Sequence, residues 1–376
     1  MSISVRPISS KSDLRKFIRF ANEMYADNPY YCPPLMMDEM NTFNPKKNPA
    51  LEVSEFQNFL AYEDGRIVGR VCALINHRAN EAWKVKNVRF GWLDFVDDKR
   101  VSQALLDAVA AWGRERGMTA MNGPVGFTDF DREGLLLEGY DYNAPMAASY
   151  NYPYYVDHMD AYGLRKEVDW IEYQIYPPKE IPERLQRIGK IVMERNHLHI
   201  YKPKNFRELV RRYGTTYMDV FDQAYQALYN YQPLTARQKE YYAKMYFPLL
   251  NLEFCTIVVN DKDEIVSVGV GMPDISDALR RCKGRLFPTG WYHILKALKA
   301  KKMDAFDLLL IAVRPDYQNM GVNSLIFVDQ IPVFNRYQIK RVDTTNILES
   351  NTKNQANFEY YEKKQHKRRR AYIREI

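Results

Sequence analysis

Residues 313–327 read VRPDYQNMGVNSLIF, and the fold turns on how this stretch is read. The run before it, Asp307 to Val313, reads as an apolar strand. Arg314-Pro315-Asp316 makes a turn. Gln318-x-x-Gly321-x-Asn323 then opens a helix, Met320 to Gln330, which Pro332 is expected to limit. A helix start carries unpaired N–H groups and a positive partial charge. With a glycine permitting close approach, successive amides among Gln318, Asn319, Met320, Gly321, Val322, Asn323 and Ser324 can cradle a pyrophosphate. The stretch is not a Walker loop, because no Gly-Lys-Ser/Thr follows. It also lacks the glycine triplet of the dinucleotide fingerprint.

A second segment lies downstream. Glu349 to Lys363 reads as a strand end followed by a helix, Asn354 to Lys364, on which positions 354, 358 and 361 share a face. Together the two segments resemble the GCN5-related N-acetyltransferase superfamily, and the overall likeness is to bacterial tandem-domain acetyltransferase-like proteins. Gln318, Gly321, Ser324 and the Val-x-Pro lead-in match the family's Arg/Gln-x-x-Gly-x-Gly/Ala loop, and Asn323 stands where the family has Gly or Ala. Asn354, Tyr361 and Glu362-Lys363 match its later Asn-x-x-Ala-x-x-x-Tyr-Glu-Lys segment. Asn357 there replaces the Ala, and Gln365-His366 the common Gly-Phe.

The resemblance implies direct acyl transfer from acetyl-CoA, as co-substrate, to an amine. By the same resemblance the backbone of Ile311, Ala312 and Val313 would align the pantetheine arm, Asn354 would meet the cofactor, and Tyr361 would protonate the departing thiolate. An amine must be neutral to attack, and a lysine-like amine has a pKa of about 10.4, so a general base is useful. Asp307 stands six residues before Val313, the offset at which some family members carry a Glu base. Strand alternation would put 307, 309, 311 and 313 on one side. Glu253 and a bound water are alternative bases. Each assignment has a structural rival: Tyr361 as part of an aromatic core, and Asp307 as a strand end or a partner of Lys299, Lys301 or Lys302.

The rest of the chain suggests an internal duplication. FLAYEDGRIVGRVCALI in the first half parallels FCTIVVNDKDEIVSVGVGM in the second. Both read as hairpins, the first across Asp64-Gly65. Both halves run strand, helices, hairpin, strand, helix, strand, helix, strand. The boundary is expected at Tyr176-Pro177-Pro178. The fold class is therefore mixed α/β, as two tandem domains, 1–176 and 177–376, each a twisted and mostly antiparallel sheet flanked by helices. A helical insertion is expected over about 274–303. Helices are expected over Phe206 to Tyr229 and Ala236 to Leu250. In the first half the strand–helix junction reads Phe95-Val-Asp97-Asp98. It has no Gly, its two aspartates would repel a pyrophosphate, and Met159 stands where Tyr361 would align. That half is expected to bind no acetyl-CoA.

Composition bounds the remaining possibilities. The chain has 376 residues, 46% hydrophobic and 27% charged, enough for a core in each half. Four scattered cysteines without CxxC spacing argue against a disulfide scaffold or structural zinc and suit a reducing cytoplasm. No metal is expected: His197 and His199 would point the same way from a strand, but no further ligands are evident. No apolar run is long enough to span a bilayer, and MSISVRPISS has no signal-peptide core, so no membrane partner is expected. Residues 363–376 supply +6 of the net +7. Nucleic acid is therefore not the expected partner, and KKQHKRRR reads as a solvated edge strand. Asp129, Asp131 and Glu133 are candidates to attract a cationic amine or simply loop charges. The aromatic runs 140–155 and 239–248 are groove or core. The expected function is N-acyl transfer to a small-molecule or peptide amine. A non-catalytic CoA-binding or interaction protein is the alternative.

Overall fold

A computed structural model gives the architecture and describes residues 2–359 and 361–376. Through the first half the order is β1 (Ser4–Pro7), α1 (Lys11–Met24), α2 (Met36–Thr42), β2 (Ser54–Glu63), β3 (Arg66–Asn76), α3 (His77–Trp83), β4 (Asn87–Phe95), α4 (Lys99–Arg114), β5 (Ala120–Gly123), β6 (Leu135–Glu138), α5 (Tyr154–Ala161) and β7 (Arg165–Tyr176). It continues with α6 (Glu183–Asn196), β8 (Leu198–Tyr201), α7 (Phe206–Tyr213), α8 (Thr216–Tyr225), α9 (Ala236–Tyr246), β9 (Cys255–Asn260) and β10 (Ile265–Pro273). The remainder is α10 (Ser276–Cys282), α11 (Gly290–Leu298), β11 (Ala305–Val313), α12 (Asn323–Arg336), β12 (Arg341–Thr344), β13 (Ile347–Leu348), α13 (Thr352–Ala356) and β14 (Glu362–Glu375).

Local chemistry explains many of these boundaries. Ser10 caps α1 by accepting from the Asp13 amide, and the helix buries Phe17, Ile18, Phe20 and Ala21. The β2–β3 hairpin turns on Asp64 (φ 49°) and Gly65 (φ 78°), the left-handed pair that a tight hairpin demands. α4 buries Val101, Leu105, Val109 and Trp112 on one face, against β3 and β4. Gly214 divides the single helix expected over 206–229 into α7 and α8.

The chain forms two compact units. The first runs to Ile171 and adds Ile275–Ile294 and Lys367–Ile376; the second holds Glu172–Asp274 and Leu295–His366. In the first, the strand order is β1–β2–β3–β4–β5–β14, antiparallel except for the parallel pair β4·β5. In the second it is β8–β9–β10–β11–β12–β7, antiparallel except for β11·β12. The order is the same in both. Each sheet takes its last strand from the opposite half of the sequence. Tyr372 of β14 stands opposite Gly123 of β5, and Ile175 of β7 opposite Val342 of β12. The compact units therefore differ from the linear halves 1–176 and 177–376.

Three further expectations are corrected. Past Ala356 the chain does not continue the helix expected over 354–364; α13 stops and β14 begins at Glu362. Pro332 does not limit α12, which carries it inside and runs on to Arg336. His197 is not on a strand beside His199: it ends α6 at φ 52° and lies 3.4 Å from Asp261.

The basic run in β14 is not a solvated edge. Lys367 is 2% exposed and Arg369 is fully buried. Lys367 Nζ donates to Asn143 O (2.9 Å) and Arg369 Nη1 to Ser149 O (2.7 Å). The buried carboxylate of Asp169 accepts from Arg370 Nε (2.7 Å) and Arg368 Nη1 (3.1 Å), with Lys166 Nζ 3.0 Å away. Interior charge is tolerable here because each cation has an oxygen within reach.

Burial alone would raise the Asp169 pKa, but hydrogen bonds from Arg370, Lys166 and Arg368 hold it at about 2 against an ordinary 3.8. Its folded value is thus depressed, so its stabilisation is complete above the unfolded value and is lost as pH falls through the folded one. Asp169→Asn should destabilise the protein by about 3 kcal/mol at neutral pH, the low end for a buried pair, because its basic partners keep some solvent. Urea midpoints should show this difference at pH 7 and show it shrinking between about pH 4 and pH 2.

Candidate functional site

The site begins with an irregularity in β11. Val270 of β10 faces Leu310, and the next residue, Gly271, faces Leu308, so Leu309 is an extra residue. The bulge reverses the alternation beyond it. Phe306, Leu308, Ile311 and Val313 share one face, and Asp307, Leu310 and Ala312 the other. The expectation that 307, 309, 311 and 313 share a side is corrected accordingly. The first face carries α12: a Cβ on Gly269, opposite Ile311, would come within 2.6 Å of Ile326.

β11 also loses a neighbour. Its parallel register with β12 ends at Leu308, opposite Thr344. Thr345 closes the junction, donating N–H to Leu308 O (3.2 Å) and Oγ1–H to Leu309 O (2.8 Å). Farther along, Ile311 O accepts from the Tyr225 hydroxyl (2.9 Å) and Val313 O from Gln318 Nε2 (3.1 Å). Arg314 N donates to Val266 O on β10 (2.9 Å). In an antiparallel ladder the residues bonded to β10 alternate with residues that point away. The N–H and C=O groups of Ile311 and Val313 therefore belong to the edge facing away from β10.

The loop after β11 forms a backbone concavity. The φ angles are −66° at Gln318 and +63° at Asn319, then +79° at Gly321 and −58° at Val322. Gln318 itself is extended (ψ 154°); the positive φ of Asn319 and Gly321, followed by right-handed Val322, turns the chain into α12 and forms the candidate anion nest there. Val322 precedes α12 and supplies no side-chain cap. Ser324 Oγ is turned back to Gly321 O at 2.7 Å. Gly321 is required by its positive φ, and a Cβ there would also press within 3.2 Å of Val192 on α6. Arg314 is engaged by Asp316 (2.7 Å) and Glu264 (3.3 Å).

The second segment reaches this same helix end. Asn323 Nδ2 donates to Asn357 Oδ1 (2.9 Å), and Asn357 Nδ2 donates to Asn354 Oδ1 (3.1 Å). Two of the positions that depart from the family pattern, 323 and 357, are thus hydrogen-bonded to each other. Tyr361 is 8% exposed, and its ring lies 5.3 Å from that of Phe327, one turn into α12. Its hydroxyl is buried with no hydrogen-bond partner among the described residues, and burial pushes its pKa well up. Tyr361 does not share a helix with Asn354, because α13 has already ended.

The acid candidates separate. Asp307 is 3% exposed and stands in register with Asp343 of β12. Arg341 lies 3.1 Å from Asp343 and 3.9 Å from Asp274. Burial opposes the charge on Arg341, yet Asp343, Asp274 and Asp307 raise its pKa. Glu253, the alternative base, lies in a turn before β9 and pairs with Arg336, at the opposite end of α12 from the nest. Tyr225 and α6 were not visible as site components. Leu185, Gly189 and Val192 do repeat at helical spacing, which was the available signal for α6. Nothing in the sequence singles out Tyr225 from the other tyrosines.

In the first unit the corresponding helix start is filled by its own side chain. Asp98 caps α4, accepting from Arg100 N (2.8 Å) and Arg100 Nε, while Asp97 binds His158 (3.0 Å). Met159 is fully buried in the core. Tyr25, Tyr150, Tyr152, Tyr154 and Tyr155 pack edge-on or tilted against one another there, which answers the first aromatic run as core. Asp129, Asp131 and Glu133 gather near Arg89, and burial pushes Asp131 to about 6 and Asp129 to about 7. Asp131 also accepts from the Phe127 (2.8 Å) and Thr128 (3.0 Å) amides.

No family model matches the chain. It is 27% identical over 384 residues to Protein YghO of Escherichia coli (strain K12), covering 99% of this chain and 95% of that one. It is 28% identical over 324 residues to Bacterial ceramide synthase of Caulobacter vibrioides, covering 84% and 82%. Among solved structures it superposes on a tandem GNAT protein from the clavulanic acid biosynthesis pathway with a TM-score of 0.55, at 10% identity over 100% of this chain and 98% of that one. A GCN5-related N-acetyltransferase from Anabaena variabilis gives a TM-score of 0.51 at 6% identity, over 99% and 72%. The chain is thus a tandem protein with the GCN5-related N-acetyltransferase fold.

Proposed function

We propose that the second unit is an acyl-CoA-dependent N-acyltransferase, with acetyl-CoA as the reference donor. The fold suggests acyl transfer. The observation that carries the reading is the convergence at one end of α12 of an uncapped backbone nest, the free edge of β11 and the unpartnered hydroxyl of Tyr361. The residues present fit such a carrier. The amides from Asn319 to Asn323 would hold its pyrophosphate, those of Gln318 and Ser324 being taken by Pro315 O (3.3 Å) and Gly321 O (2.9 Å); the edge groups of Ile311 and Val313, on either side of Ala312, would hold its amide-bearing arm, and Asn354 would contact it beside Asn357. When bound, the donor supplies an acyl thioester.

The chain's own part is positioning and proton handling. Tyr361 keeps its proton through neutral pH, because burial disfavours the phenolate, and so has one to give to a departing thiolate. Asp307 is the carboxylate proposed to take the proton from the amine, on the β11 face opposite α12. Nitrogen–carbon bond formation and carbon–sulfur cleavage then occur in one ternary complex. The acceptor is a small-molecule or peptide amine. One observation narrows this: a ceramide is an N-acylated long-chain amino alcohol, and the relative named a ceramide synthase aligns over most of this chain. The first unit, whose equivalent helix start is closed by Asp98, is proposed to bind no acyl-CoA.

Three outcomes check this reading. Tyr361→Phe should lower kcat by about a hundredfold, the scale of general acid catalysis, with CoA affinity by calorimetry nearly unchanged. Loss of both together would make Tyr361 structural. Gly321→Val should weaken CoA binding at least about tenfold through backbone strain. Asn323→Ala and Asn357→Ala should each weaken CoA binding, and the double variant should cost less than their sum, since both break one hydrogen bond. Additive losses would show that the pair does not act as a unit.

A further inference from the structure

A different surface, in the first unit, is built from charge and exposed aromatics. A groove of about 450 Å³ is lined by Arg15 and Arg19 of α1 and by Lys283 and Arg285, with Glu23 and Met36. Glu23 lies 3.8 Å from Arg19. Among the described residues no ion pair engages Arg15, Lys283 or Arg285. The segment carrying Lys283 and Arg285 is fixed in place. Gly284 accepts from the Met36 amide (2.9 Å), and a Cβ on Gly284 would come within 2.6 Å of Asn22 on α1. The cations are thus presented by the fold rather than by a loose tail.

Apolar rings follow at once in the chain. Phe287 is 71% exposed, Tyr292 53% and Trp291 47%. Phe287 is the most exposed of the large hydrophobic side chains that stand in solvent among the described residues. Water-facing rings of this size, beside uncompensated cations, carry a cost unless something covers them. An apolar tip flanked by Trp and Tyr, next to Lys and Arg, is the composition that suits the boundary between lipid headgroups and acyl chains. A single-strand platform would space its rings along a basic track. Here they are gathered in the run 287–292.

We propose that this face docks on the surface of an anionic lipid bilayer, the basic groove taking a lipid phosphate and Phe287 and Trp291 entering the headgroup region. No helix among the described residues is long and apolar enough to cross a membrane, so the contact is peripheral. Such attachment departs from the expectation of no membrane partner, which rested on the lack of a spanning run and of a signal-peptide core. The proposal stands apart from acyl transfer, because binding is read with no acyl donor present.

The test is sedimentation of the full chain with phosphatidylcholine vesicles, with and without phosphatidylglycerol. Binding should require phosphatidylglycerol and weaken with added salt. Lys283→Gln with Arg285→Gln should lower the partition coefficient roughly 25-fold, at about fivefold per cation. Phe287→Ser with Trp291→Ser should also lower it, by at least about tenfold. Both pairs are at the surface, and an unchanged melting temperature would show that the fold is kept. Equal binding to neutral vesicles, no binding, or binding unaltered by either pair would overturn the proposal. Release of bound protein by inorganic phosphate or by single-stranded DNA would also overturn it, assigning the face to a soluble anion or to nucleic acid.

Discussion

Beyond Leu308 the fourth strand of the second sheet keeps β10 on one side but, among the described residues, has no strand on the other, and that open main-chain edge is what the candidate site is built along. Main-chain N–H and C=O groups shielded from water need partners. Two carbonyls on this edge are met by side chains, Ile311 O by Tyr225 and Val313 O by Gln318. The amides of the same residues face away from β10, on the edge where no strand pairs with β11 among the described residues. The nest at Asn319 and Gly321 continues the pattern, since its donors also lack a side-chain cap. The helix then aims its dipole at the place where those donors converge. Tyr361, just before β14, packs its ring against Phe327 of that helix, and its hydroxyl has no hydrogen-bond partner among the described residues. A carrier with amides along one arm and phosphates at its end is the chemistry that such a row of donors would satisfy.

The two units show how one architecture can keep or lose such a site. Both sheets have the same order and the same parallel pair, and both carry an irregularity in the fourth strand. In the first unit the shift lies between Arg70 and Cys72, which face Asp94 and Gly91. Only the second unit leaves its helix start uncapped. In the first, Asp98 accepts from the helix amides and Asp97 engages His158, so the donors are used within the protein. One substitution pattern at a helix start thus separates a place that favours an anion from one that repels it.

Much of this was legible in the chain, and the parts that were not share a cause. Turns and helix starts are local, so VRPDYQNMGVNSLIF announced the turn from β11 into α12, and Asp64-Gly65 the hairpin. The bulge at Leu309 is invisible to alternation, which assumes an unbroken period of two, and it moved Asp307 to the opposite face. The exchange of β7 and β14 is non-local, and no composition shift marks it. The basic run in β14 reads as a wet edge until Asp169, about 200 residues earlier, is seen to neutralise it. Asn323 and Asn357 each read as a departure from a family pattern. They make sense only as a hydrogen-bonded pair, which needs the distance between them.

The most direct test of the central claim is hydrogen exchange of the backbone amides, followed by mass spectrometry, with and without CoA. Bound carrier should slow exchange in peptides covering 311–313 and 318–324 and leave 96–102, at the start of α4, unchanged. Unaltered exchange across 311–324 at saturating CoA, or protection confined to the first unit, would contradict the account.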